Sequence, residues 1–189
     1  MNRDEAWTLV TEETSSSALQ KHMLAVEAVM RAYARKFGED EETWGLVGLL
    51  HDLDYERHPS QDAGHPFAGV ELLRSRGVDE TVCRAILSHA DYSGVPRESR
   101  MERALFSADE LSGFVIAVAL VRPSRSLDDV DVAAVRKKMK DKAFARAVRR
   151  EDIVRGAEEL GVSLDDHIAF VIEALRARAT ELGVHGRSA

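Results

Sequence analysis

Apolar residues recur in this chain every three to four positions over nearly its whole length, which restricts it more than any other feature. In "SSSALQKHMLAVEAVMRAYARKFG", Leu19, His22, Met23, Val26, Val29, Met30 and Tyr33 share one stripe, with serines before it to cap a helix and Gly38 after it to stop one. A second helix is expected from about Glu41 to His51, with Trp44, Val47 and His51 on one side. After the turn-rich "RHPSQDAG", Pro66 suits the first position of a helix that Gly77 ends. Asp79 then caps a helix in which Val82, Ala85, Ile86 and His89 share a face.

The stretch "ERALFSADELSGFVIAVALV" places Leu105, Ala108, Asp109, Ser112, Val115, Ile116 and Ala119 together, and Pro123 closes it. Shorter helices are expected over Val130 to Lys140, Lys142 to Val148, Glu151 to Leu160 and Ser163 to Leu182. No segment alternates as a strand would, so the fold class is all-α, a compact helical bundle. At 189 residues without a shift in composition, one domain is expected, with a core over about 20–120 and a helical extension over about 121–183.

Charge and cysteine content exclude several functions. The net charge of −7 disfavours a nucleic-acid polymer as partner, since such binding depends on neutralising phosphates. Between Arg122 and Arg155, however, eleven Lys and Arg stand against six Asp and Glu, which leaves room for a small anion. Cys83 is the only cysteine, so neither an internal disulfide nor a cysteine zinc site can form, and its neighbours mark it as a small buried hydrophobe. The N-terminal "MNRDEAWTLVTEETSSS" is acidic and has no signal-like apolar core, and no uncharged run is long enough for a bilayer. A cytoplasmic protein with no membrane partner is expected.

Four ionisable residues fall where the helical period calls for apolar ones. His22, His51, His89 and Asp109 each lie on the inward stripe of their helix, with Asp52 beside one of them. A single histidine on such a stripe is usually a hydrogen-bonded core residue. A buried carboxylate is costlier, and the stripe of Asp109 carries no Lys or Arg to pair with it. One divalent ion would satisfy His22, His51, Asp52 and Asp109 together. Imidazole and carboxylate in equal numbers suit Mn, Fe, Co, Ni or Zn better than Mg or Ca. Water on the remaining coordination positions would be acidified towards neutral pH.

In this order the residues resemble the HD superfamily of metal-dependent phosphohydrolases: a helix histidine at 22, a His-Asp pair at 51 and 52, and a later aspartate at 109. The resemblance runs from about residue 20 to 120 and rests on the ordered set, because an isolated His-Asp dipeptide carries little information. "HPFAGVELLRSRG" and "ETVCRAILSHAD" resemble the family helices that add two histidines in two-metal members, which makes His65 and His89 candidate ligands of a second ion, with Asp52 as the bridge. The alternatives are that His65 simply opens a helix and that His89 stands behind the ligands or contacts phosphate.

The chain departs from the family where relatives continue with Ile-Gly-Lys or carry a glutamate three residues after the aspartate; Tyr55 stands at that place here. Asp54 and Glu56 are the nearest carboxylates for orienting water or protonating a leaving group. The segment "ALVRPSRSLDDVDV" resembles an uncharacterised bacterial subgroup, and its Arg122 and Arg125 are candidates for binding a substrate phosphate. His58, His167 and His185 have no assigned role. The resemblance implies hydrolysis of a nucleotide or another small phosphoester, with Asp52 and Asp54 as the catalytic candidates and one or two ions bound. A two-iron oxygenase and a non-catalytic module that binds metal and nucleotide are the alternatives.

Overall fold

The computed structural model describes residues 1–186, and among them helices are the sole regular elements besides an isolated bridge between Ser126 and His185. The all-α class follows directly from the helical period of the sequence. Two compact units divide the chain, Met1–Phe106 and Ser107–Ala189, with the division inside one helix. The single-domain reading, with its core to about residue 120, draws no boundary there.

The first unit begins with α1 (Arg3–Glu13), in the acidic segment for which the sequence reading assigns no helix. Its start is a capping box: the Asn2 side chain accepts from the Glu5 N–H while Glu5 reaches back to the Asn2 N–H. Ala6, Leu9 and Val10, spaced by three and one, bury its inner side. Next comes α2 (Ser17–Phe37), capped by Ser16 and stopped by Gly38 in the left-handed region at φ 70°. Asp40 caps α3 (Glu41–Leu50) through the Thr43 N–H.

Two glycines of α3 face α2. A Cβ on Gly48 would stand 2.9 Å from the Glu27 Cα, and one on Gly45 would stand 2.6 Å from the Arg31 guanidinium. A side chain at position 48 would meet backbone and hold the helices apart, whereas one at position 45 would displace the Arg31 side chain. Glu27 is fully buried beneath the contact, where it accepts from Arg3 of α1 at 2.9 and 3.0 Å and from Arg31 of its own helix at 2.9 Å. Arg31 continues to Glu42 of α3 at 2.7 Å, so one ionic chain joins three helices. Removing a partner from such a set would strand a buried charge.

The turn after α3 is fastened to the corner between α1 and α2. Thr14 donates to the Leu53 carbonyl, Arg57 donates to the Glu12 carbonyl and Glu13 carboxylate, and Glu56 accepts from the Ser16 N–H. The Glu56 carboxylate is thereby a structural tie. Then follow α4 (Phe67–Ser75) and α5 (Glu80–Ser88), the latter capped by Asp79 as its sequence suggests. Pro66 precedes the first turn of α4 instead of opening it. Cys83 is buried on α5, and burial pushes its thiol up. The unit closes with the first residues of α6 (Arg100–Leu120), where Glu102 accepts from the Glu98 and Ser99 N–H groups at its start.

In the second unit, α6 continues from Ser107 and is followed by α7 (Val132–Met139), α8 (Arg150–Leu160), α9 (Leu164–Arg176) and α10 (Ala179–Leu182). A Cβ on Gly156 of α8 would stand 2.7 Å from the Ser107 Cα, so glycine permits a close backbone approach there too. His167, to which the sequence assigns no role, is fully buried on α9 with Nε2 2.8 Å from the Ser107 carbonyl. The helix expected over Lys142 to Val148 is a series of turns. Its carbonyls go elsewhere: Arg150 donates to those of Ala145 and Val148 at 2.7 and 2.6 Å and to that of Phe144, with its guanidinium 5.0 Å from the Phe114 ring. The long final helix expected to reach Leu182 breaks after Arg176, whose side chain donates to the Leu127 and Val130 carbonyls. Among the described residues, no helix is long and apolar enough to cross a membrane.

Candidate metal centre

The first unit brings His22, His51, Asp52, His65 and His89 together. His22 projects from the second turn of α2, and His51 caps the C-terminus of α3 with Asp52 next in the chain. His65 lies just before α4, and His89 caps the end of α5. Three of these residues therefore sit at helix ends, where backbone direction changes and a side chain can turn towards a common point. The rings form a continuous cluster, with centroid separations of 5.2 Å for His22 and His51, 5.4 Å for His51 and His89, and 5.0 Å for His65 and His89.

Asp52 divides the cluster in two. Its Oδ2 lies 3.6 Å from His22 Nε2 and 3.5 Å from His51 Nε2. Its Oδ1 lies 3.5 Å from His65 Nε2 and 3.9 Å from His89 Nε2. Two ligand atoms held at about 2.1 Å in tetrahedral directions stand about 3.4 Å apart, so both halves have the spacing of a ligand set. Within each triad the candidate ligand atoms all lie within 4.8 Å of one another.

Hydrogen bonds at the opposite ring nitrogens define the tautomers. His51 Nδ1 lies 2.8 Å from the Gly48 carbonyl and His89 Nδ1 contacts the Ile86 carbonyl. A carbonyl can only accept, so each Nδ1 carries the proton, and in its neutral form each ring then presents a lone pair at Nε2. His65 Nδ1 donates to Asp54 Oδ1 at 2.8 Å with the same result. Burial alone would raise the Asp54 pKa, but hydrogen bonds from His65 and the Gly69 N–H hold it below its ordinary value. His65 Nε2 and His89 Nε2 then face each other at 3.1 Å. Two lone pairs that close, beside a carboxylate, call for a cation or a shared proton among them. The donor set fits a divalent transition metal.

The remaining candidates lie as follows. Asp54 is buried and uses both oxygens, Oδ1 on His65 and Oδ2 on the Gly69 N–H at 2.6 Å. Tyr55 is exposed, with its ring edge-on to His65 at 5.2 Å between centroids. Asp109 lies on α6 in the second unit and is half-buried instead of enclosed. Arg122 is half-buried and Arg125 exposed in the turn after that helix, with Arg125 at φ 54°. Sequence reasoning overlooks Gly48 and Gly69, whose missing side chains admit the Glu27 backbone and the Asp54 carboxylate. Spacing of Gly45 and Gly48 by three on one helix is the signal that could have revealed the first of them.

Comparison with known proteins identifies the family. A model of the HD domain matches residues 19–113, half of the chain. Ribonuclease Y of Mesoplasma florum is 29% identical over 91 residues, covering 48% of this chain and 18% of that protein. The chain thus spans less than a fifth of the length of this curated relative. No solved structure matches it. On the family match, which covers the His-Asp pair and its surrounding ligand-type residues, the chain belongs to the HD domain family, within the superfamily of metal-dependent phosphohydrolases.

Proposed function

We propose that the protein is a metal-dependent phosphohydrolase that acts on a nucleotide or another small phosphoester and holds two divalent transition-metal ions, of Mn, Fe, Co, Ni or Zn, on opposite oxygens of Asp52. The observation that carries this reading is the division of Asp52: Oδ2 faces His22 and His51, and Oδ1 faces His65 and His89. By resemblance to the family, Asp109 is a further candidate ligand. Bound ions supply a Lewis acid for a phosphoryl oxygen and acidify water at neutral pH.

The chain's own residues do the rest. His51 and His89, held through Nδ1 by backbone carbonyls, keep their Nε2 lone pairs fixed without adding charge. Asp52 sets the spacing of the two halves and contributes their shared negative charge. Arg122 and Arg125 are the proposed contacts for a substrate phosphate, for which a guanidinium offers paired donors. The net charge of −7 favours a small substrate over a polymer. The ribonuclease named among the relatives places phosphodiesters beside phosphomonoesters as substrates worth testing.

The test is to strip the purified protein, reload it separately with Mn, Co, Ni and Fe, and assay phosphomonoesters, phosphodiesters and nucleotides. Turnover with at least one ion, lost on chelation and in Asp52→Ala, is expected. Tight nucleotide binding by the loaded protein without turnover would favour a binding module instead. The four imidazoles around one carboxylate also suit an iron oxygenase, and oxygen uptake by the Fe(II) form would favour that reaction.

A further inference from the structure

We propose that Asp54 is a positioning residue that holds His65 for the second ion, so that the two ends of Asp52 bind metal with different and separately adjustable strength. The proposal rests on the two-ion reading above. It starts from an inequality among the histidines: His51 and His89 give their Nδ1 protons to neutral carbonyls, whereas His65 gives its own to a carboxylate. An anionic partner makes the opposite nitrogen a stronger donor and fixes its orientation more firmly than a neutral one. That nitrogen, His65 Nε2, is 3.5 Å from Asp52 Oδ1.

Asp54 is itself held from behind. Its Oδ2 accepts from the N–H of Gly69 at 2.6 Å, in the first turn of α4, where backbone N–H groups lack partners within the helix. The same helix end favours a negative charge. Position 69 leaves space for nothing else: a Cβ there would lie 2.9 Å from Asp54 Cγ and 3.1 and 3.2 Å from its oxygens. The carboxylate is thus clamped between a helix N-terminus and an imidazole, with 6% of Asp54 exposed to solvent. Neither Asp54 oxygen is directed at Asp52, so the residue acts through His65 and not on substrate.

Two variants test the assignment independently. Asp54→Asn keeps the shape, but its amide can accept from only one of its two N–H donors through oxygen and turns an NH₂ towards the other. Gly69→Ala keeps the carboxylate and displaces it. The metal-free wild type and both variants, checked for folding by circular dichroism, are titrated with Co(II) against a competing chelator while the visible spectrum of the bound ion is recorded. The wild type is expected to take up two ions. In each variant one dissociation constant stays within about threefold while the other weakens by about 10- to 100-fold, and the spectrum of the weakened ion changes.

Asp54→Asn that folds and leaves both constants unchanged, or weakens both equally, overturns the proposal while two bound ions in the wild type preserve the two-ion reading. A wild type that takes up a single ion overturns both. If Asp54→Asn does not fold, Gly69→Ala decides by the same criterion.

Discussion

Gly48 lies so close to Glu27 that a Cβ on it would stand 2.9 Å from the Glu27 Cα and the Glu27 N alike. The contact fixes where α3 crosses α2, and His51 follows one turn later with its ring 5.2 Å from that of His22. The geometry of the candidate ligands in the first unit therefore begins with a missing side chain.

Gly48→Ala is accordingly expected to destabilise the protein by about 1–3 kcal/mol, the usual result of forcing a methyl group into a packed contact. Helix propensity alone would favour alanine by about 1 kcal/mol, so the sign of the change separates the two effects. A thermal melt of the metal-free protein measures it. A rise in Tm would contradict the close crossing.

Asp52→Ala should remove both ions, since each half of the cluster depends on one of its oxygens. Elemental analysis is expected to fall from two ions per chain to fewer than one. Wild-type Tm should rise with added Mn(II), because a ligand that binds only the folded state stabilises it. The variant should show no such rise, and one that did would place the metal elsewhere.

Glu27→Gln leaves Arg3 and Arg31 without their buried counter-charge. The expected cost is about 3 kcal/mol, at the low end for a broken buried pair because both arginines reach water. Chemical denaturation gives the value. Metal content should stay at the wild-type level, which distinguishes this scaffold residue from the ligands.

Cys83 tests the sign of a pKa shift. Burial raises the thiol above its ordinary value, so at a given pH the folded chain holds less of the reactive thiolate than the unfolded chain does. A disulfide reagent at pH 8 should label it slowly in buffer and rapidly in guanidinium. Rapid labelling of the folded protein would show that α5 does not enclose it.

Helix ends at Ser16, Gly38 and Asp79 are legible in the sequence because a cap involves residues two to four positions apart. The box of Asn2 and Glu5 on α1 is equally local and readable, but only Ala6, Leu9 and Val10 mark its inner side among polar neighbours. Residues 142–148 look helical by composition. Arg150 takes the carbonyls of Phe144, Ala145 and Val148 from outside that stretch, and Ala145 turns to φ 41°.

The same distinction holds for the site. Periodicity places His22, His51 and His89 on inward faces, and residue chemistry calls for a cation among them; both are properties of short segments, so the sequence determines them. Which oxygen of Asp52 faces which pair of histidines, that Asp54 serves His65, and that Gly48 and Gly69 make room for Glu27 and Asp54 were decided by the tertiary structure. Apart from the adjacent His51 and Asp52, these relationships join residues 11 to 37 positions apart in the chain. They exist only once packing has brought the backbones together, because no local pattern encodes a separation measured across a core.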